Sequence, residues 1–430
     1  MVDAPAPSTL RPWSGRSHGE LAELVRELLL VGHLIDRSGM PHLISRLGRE
    51  GMAEVAIDEW MAASPIYTKR LQRLLGFEGE TVEVVFKGMQ FDIGAPPEFL
   101  DFRYIVHDDD HGEFQLAHCG ALMDVEPMGE EYVRTMCHDI EDPTFDATAI
   151  ATNPRARMTP VHRPPRKPVD RLPHCAWSVT IDHDADPLPF PAQAERLSTS
   201  QAAGLPMAER PADLPSNNGA DAYDFPLDSD LTTERFSSAT LAATADEICL
   251  QQHLLARAFL LATADRVGPD EIAGIGVAQA TGIAGLGAKR LGAALGVDAD
   301  LAGVAAVLEV HPLLAPRAYV ATEVKIDEAN SVLEVSIGAC PALNEVDGLS
   351  WPALVVEHDD KPLRAIVQAI APTATVERLS LADTATDGEA GERARWRITV
   401  DPDAEPAPQT TEVTLAEFST GANFTFKRRG

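Results

Sequence analysis

The sequence predicts an α+β protein built from two tandem, degenerate copies of one unit, a helical segment followed by an antiparallel sheet, forming a pseudo-dimer. Three observations predict it. Helix-period and strand-period patterns are segregated along the chain rather than alternating. Five segments of the first half recur in the same order in the second, at an offset of 215 to 221 residues. A stretch rich in Pro, Ala, Ser and Asp over 183–236 separates the two series. The expected organisation is a disordered tail over 1–15, a first copy over 16–182, a linker or loosely draped arm over 183–236 and a second copy over 237–430.

Ser17 with Glu20 makes a capping-box pattern, and Leu21, Leu24, Val25, Leu28 and Leu29 follow at helical spacing. Gly39 to Pro41 is expected to end that helix. Further helices are expected over 52–61 and 65–75, the latter closed by Gly76. Val82 to Phe86 reads as a short strand. Residues 99–106 and 113–119 read as a hairpin turning on HDDDHG. A helix over 129–138 and strands over 155–162 and 176–181 complete the first unit. After the linker, helical patterning returns at Ser238 and runs with breaks to Leu308, followed by a hairpin, a helix and further strands.

The repeat is specific. Lys69–Arg70 aligns with Lys289–Arg290 and Gly76 with Gly296. In the hairpin Cys119 aligns with Cys340; beyond it, His138 aligns with His358, His162 with Glu377, and Trp177 with Trp396. Two copies of one fold retain packing residues and can lose chemistry in one of them. His118, Cys137, His162, His174 and Cys175 are replaced by Ala339, Glu357, Glu377, Arg393 and Ala394, so the first copy is expected to carry the site and the second to be structural.

The chain has 430 residues and a formal charge of -30, which argues against nucleic acid and anionic membranes as partners. No apolar run is long enough to span a bilayer and no signal-peptide pattern opens the sequence, so a cytoplasmic protein is expected. Five cysteines without small-scaffold spacing fit a reducing compartment better than a disulfide framework. GIAGLG over 282–287 follows a helical pattern, not a strand, so no nucleotide cofactor is expected. The acidic HDDDH run reads as a solvated turn.

The candidate site lies between His118 and Trp177, where Cys119, Cys137 and Cys175 each adjoin a histidine (His118, His138, His174) and His162 falls between the last two cysteines. One reading is a metal centre, with Cys119, Cys137, His162 and Cys175 as ligands to zinc, iron being the alternative metal, and His118, His138 and His174 as alternates. Another is thiolate catalysis, with Cys175 as nucleophile, His162 as base and Asp139 as orienter. Arg155, Arg157 and Arg163 open a basic run suited to an anionic substrate. The plain alternative makes the cysteines small buried hydrophobes. For Cys119 this is supported by its persistence as Cys340. For His138 it predicts a helix-end imidazole bonded to backbone.

With Cys119 after a strand, Cys137 and Asp139 on a helix, and Cys175 opening AWSVTID, residues 20–182 resemble the L-2-amino-thiazoline-4-carboxylic acid hydrolase-like and 4-vinyl-reductase-like domains. The resemblance implies a helical segment leading into an α+β unit, and either a ring-opening hydrolase or a small-molecule-binding domain. The expected function is a metal-assisted or cysteine-dependent hydrolase of a small anionic substrate, a heterocycle being one candidate. The alternatives are a metal- or small-molecule-binding module and a cysteine redox protein. The sequence leaves room for a homo-oligomer.

Overall fold

A computed structural model describes residues 12–327, 329, 331–380 and 391–427. In chain order the first half comprises α1 (His18–His33), α2 (Ile35–Leu75), α3 (Val82–Met89), β1 (Leu100–Val106), β2 (His111–Cys119), α4 (Gly120–Val125), α5 (Glu130–Arg134), a π-helical turn (Thr135–Ile140), α6 (Glu141–Ile150), β3 (Ala156–His162), β4 (Cys175–Ile181) and α7 (Ala192–Leu197). The second comprises α8 (Ser238–Ala264), α9 (Pro269–Leu295), α10 (Leu301–Val310), β5 (Thr322–Asp327), β6 (Val332–Gly338), α11 (Trp351–Glu357), α12 (Lys361–Ile370), β7 (Ala374–Arg378), β8 (Glu392–Val400) and α13 (Thr411–Ala416).

The chain is mixed α+β, with two four-stranded antiparallel sheets of the same topology, β1-β2-β4-β3 and β5-β6-β8-β7. Their registers coincide. Phe114 lies opposite Trp177 as Val335 lies opposite Trp396. Met158 lies opposite Val179 as Val376 lies opposite Ile398. This register corrects one alignment. Glu377 pairs with Arg397, and Thr159 with Ser178, so Glu377 stands where Thr159 does and is not the counterpart of His162.

The helical segments also repeat. Ser17 caps α1 with both bonds of a capping box, and Ser237 caps α8 by accepting from Thr240 N. Gly76 and Gly296 close α2 and α9 in the left-handed conformation, at φ 67° and 60°, where a Cβ would be strained. Gly39 does not end a helix: the break falls at Leu34, and α2 runs on to Leu75 with a kink at Gly48 (φ 74°). Gly39 is instead a point of close approach, where a Cβ would sit 2.8 Å from the Phe259 ring. The predicted strand at Val82 is the helix α3. Its buried apolar residues, Val82, Val85, Phe86 and Met89, follow the i, i+3, i+4, i+7 pattern that its β-branched composition masks.

The Pro-rich segment 183–236 packs closely on the helices. Leu197, Ala202, Tyr223 and Phe236 are buried, and Tyr223 N donates to the Leu75 carbonyl. Nor is the start of the described chain loose: Trp13 is buried and its Nε1 donates to Asp246 at 2.8 Å.

The halves meet along α1, α2, α8 and α9, and the ion pairs there are reciprocal. Arg70 forks onto Glu247 (2.7 and 2.8 Å), and Arg290 onto Glu27 (2.7 and 3.0 Å). Glu27 and Glu247, like Arg70 and Arg290, are 220 residues apart. Each arginine also holds the arm that follows its own sheet: Arg70 through the Leu205 and Pro206 carbonyls, Arg290 through those of Gly421 and Phe424. The arms cross. Gln201 N and Ala202 N, just after α7, donate to Glu345 in the second half. Ser419 and Thr420, just after α13, donate to Asp124 in the first.

Candidate functional site

The strand order draws the three cysteines of the first half together on the core side of the sheet. Cys119 ends β2, Cys175 opens β4 opposite Leu116, and Cys137 sits in the π-helical turn; all three are buried and unpaired in disulfides. Cys119 caps α4, its Sγ accepting from Leu122 N at 3.3 Å. Burial pushes its thiol up to about 12, reinforced by the charge of Glu141. Burial likewise raises the Cys137 and Cys175 thiols well above the ordinary range. These thiols are held protonated, the opposite of what an attacking thiolate needs.

The other expected partners do not join them. His162 lies opposite Ala176 in the ladder. It therefore shares that residue's face, while Cys175 and Trp177 point into the core. Burial and Arg171 lower its pKa. Asp139 is exposed. His138 Nε2 donates to the Pro164 carbonyl at 2.7 Å, the backbone role of the plain alternative. His118 and His174 face each other, ring centroids 5.7 Å apart. Burial lowers the pKa of both. Among the described residues, no three His, Cys, Asp or Glu side chains are arranged to hold a metal ion, so the residues present do not fit the expected zinc or iron centre.

The arginines are committed to the protein. Arg155 donates to the Ala185 carbonyl, and Arg157 to those of Pro154, Ala156 and Asp186, which fastens the start of the arm. Arg163 pairs with Asp142 and lies over the Trp177 ring, 5.8 Å from its centroid.

The structure opens a cavity of about 610 Å³ between α2, the inner face of the first sheet and the segment from α4 to α6, and Cys119 is part of its wall. Seven of the chain's ten methionines line it: Met40, Met52, Met89, Met123, Met128, Met136 and Met158. Thioether side chains are unbranched and adaptable, which suits a wall that conforms to a guest. Leu415, Phe418, Ser419 and Thr420 of the second half's arm complete the wall, and Phe418 and Met128 are exposed at its edge.

Polar groups interrupt the apolar wall: Glu141, near the cysteines, has an Oε2 with no protein partner and a pKa that burial raises to about 8, and His33, Asp36, Arg37, Asp92 and Asp124 also line the cavity. Asp36 and Glu59 are buried against each other on α2. Burial, then the Asp36 charge, holds Glu59 well above the ordinary carboxyl range. Burial also raises Asp36, against the opposing pull of its bond to Glu59, of Arg37 and of Trp60. Two facing buried carboxyls cannot both ionise cheaply, so the pair shares a proton. Asp36 Oδ2 accepts from Trp60 Nε1 at 3.0 Å, while Oδ1 has no protein donor. Asp92 accepts from the Tyr67 hydroxyl (2.7 Å) and Gly94 N (2.6 Å), and burial lifts its pKa to about 6. His33 is buried and burial drives its pKa to about 3, so the ring is neutral; neither nitrogen has a well-aligned hydrogen-bond partner. Arg37 is bonded to Asp124 at 3.0 Å.

The second half keeps the frame and closes the space. His253, 220 residues after His33, donates through Nε2 to the Ala315 carbonyl at 3.0 Å. Gln279 stands at the position of Glu59 and Ala256 at that of Asp36. Trp351, fully buried, fills the region, bonded to Gln279 Oε1 and 5.6 Å from the His253 ring. Arg257 meets Glu345 as Arg37 meets Asp124.

Sequence reasoning missed this cavity, although one signal was present: no methionine occurs after Met207. Among the described residues no helix is long and apolar enough to cross a membrane. No protein-family model matches the sequence, and no curated protein or solved structure matches it.

Proposed function

We propose that the protein is a small-molecule-binding module: the first half encloses a largely apolar ligand, and the second half is its structural partner in a pseudo-dimer. The observation that carries this reading is the methionine-lined cavity, present in the first half and filled by Trp351 at the corresponding place in the second. Its volume falls within the range of ligand pockets, about 300–1,000 Å³. The pseudo-dimer is supported by the reciprocal Arg70–Glu247 and Arg290–Glu27 pairs, since a two-fold interface repeats each contact with the partners exchanged. The protonated thiols and the outward His162 favour binding over hydrolysis through Cys175. The spent arginines remove the main argument for an anionic guest.

The test is titration with an uncharged, environment-sensitive apolar dye. One saturable site per chain is expected, weakened about tenfold or more by the cavity-filling changes Ala56→Phe and Met136→Trp, each with its melting temperature retained. Unchanged dye binding in both folded variants contradicts the reading.

A further inference from the structure

The cavity wall around Asp36 has an excess of acceptors. Asp36 Oδ1 and both Glu59 oxygens are buried with no protein donor, apart from the proton the two carboxyls share. His33, neutral and buried, offers a ring nitrogen to the same space. The other charged and titratable groups lining the cavity are Arg37 on α2, bonded to Asp124, Asp92 after α3, bonded to the Tyr67 hydroxyl, the Cys119 thiol, Tyr132, and Glu141 on α6, whose Oε2 has no protein partner. Asp36 and Asp92 thus face an apolar chamber, with Glu59 buried behind Asp36, and the neighbouring cation, Arg37, is already bonded to Asp124. An anionic head group would meet like charge there, and an alcohol would bring a single donor. An ammonium brings three donors, no acceptor and the missing charge. In the second half the requirement vanishes together with the space, because Ala256, Gln279 and Pro312 stand where Asp36, Glu59 and Asp92 do in the first.

We propose that the ligand is an organic amine, its apolar body among the methionines and its protonated nitrogen at Asp36, which Glu59 backs from behind the cavity wall, with His33 as a further acceptor. This rests on the cavity reading above and adds the chemical class. The cation stabilises both carboxylates, so the proton they share leaves to solvent as the amine enters; the amine keeps its own proton and no bond to carbon changes.

Three probes with one apolar body separate the possibilities: 4-phenylbutylamine, 4-phenylbutanol and 4-phenylbutyrate. Calorimetry on the full chain, at physiological salt, is expected to rank the amine about tenfold or more above the alcohol and the carboxylate last. In two buffers of different ionisation enthalpy, amine binding should release about one proton, and alcohol binding none. Because a chain of charge -30 attracts any amine, specificity is read from Asp36→Asn. That change should bring amine and alcohol within about threefold of each other. Glu59→Gln, which installs the side chain of Gln279, serves if Asp36→Asn does not fold. Alcohol binding as tight as the amine, or an amine preference that survives both substitutions, overturns the amine proposal and leaves the cavity reading intact. No binding by any of the three overturns both.

Discussion

At the scale of residues, burial decides most of what the side chains can do. Asp92 shows it with a definite sign. Its folded pKa, about 6, lies above the ordinary carboxyl value of 3.8. The stability it contributes is therefore fully present below about pH 3.8 and is lost as pH rises through about 6. Two units correspond to at most about 3 kcal/mol. Urea unfolding of wild type and Asp92→Asn at pH 4.5 and 7.5 should show a fall in wild-type stability that is smaller in the variant; equal pH dependence would contradict the assignment. The cysteines teach the complementary lesson. Their clustering in sequence was legible and the fold does gather them, but whether a thiol becomes a ligand, a nucleophile or a helix cap depends on the face of each strand and on burial. A one-residue bulge in β3, between Pro160 and His162, is enough to take His162 out of the cluster.

At the scale of elements, the interface ion pairs carry the sharpest expectations. Arg70 and Glu247 are both nearly inaccessible, as are Arg290 and Glu27. Removing one member strands a buried charge, so Arg70→Ala and Arg290→Ala should each cost about 3–5 kcal/mol in denaturant unfolding, while Arg70→Met with Glu247→Leu should recover most of the loss. A cost below about 1 kcal/mol for either single change would place these pairs with surface bridges. The starts of α1 and α8, the glycine caps and both hairpins could be read from the sequence because each rests on local chemistry. The length of α2 could not. Gly39 and Pro41 look like a terminator in one dimension, and only the approach of Phe259 from the other half explains the glycine. The arm over 183–236 has the composition of a linker. It is anchored by Arg70 on the Leu205 and Pro206 carbonyls and by its own Arg210 side chain and Tyr223 N, which donate to the Leu74 and Leu75 carbonyls at the end of α2, none of which a local pattern announces.

At the scale of the whole molecule, the repeat made two similar units legible, and the sequence also showed that the second lacks several reactive residues of the first. Of the candidate residues read from the sequence, Cys119 lines the cavity, while the acids and methionines around it are not among them. What separates the halves is space: methionines and buried acids around a cavity in one, Trp351 and Gln279 in the other. The crossed arms make the halves interdependent. A chain nicked at the exposed turn 216–217 should therefore elute as one particle in native size exclusion and separate only in denaturant; spontaneous separation would contradict the reciprocal interface. The most direct test of the cavity itself is a crystal soaked with 4-(4-bromophenyl)butan-1-ol, whose bromine is located by anomalous scattering. The account predicts one bromine peak among Met40, Met52 and Met136 and none beside Trp351. No peak among those methionines, or an equal peak in the second half, would contradict it.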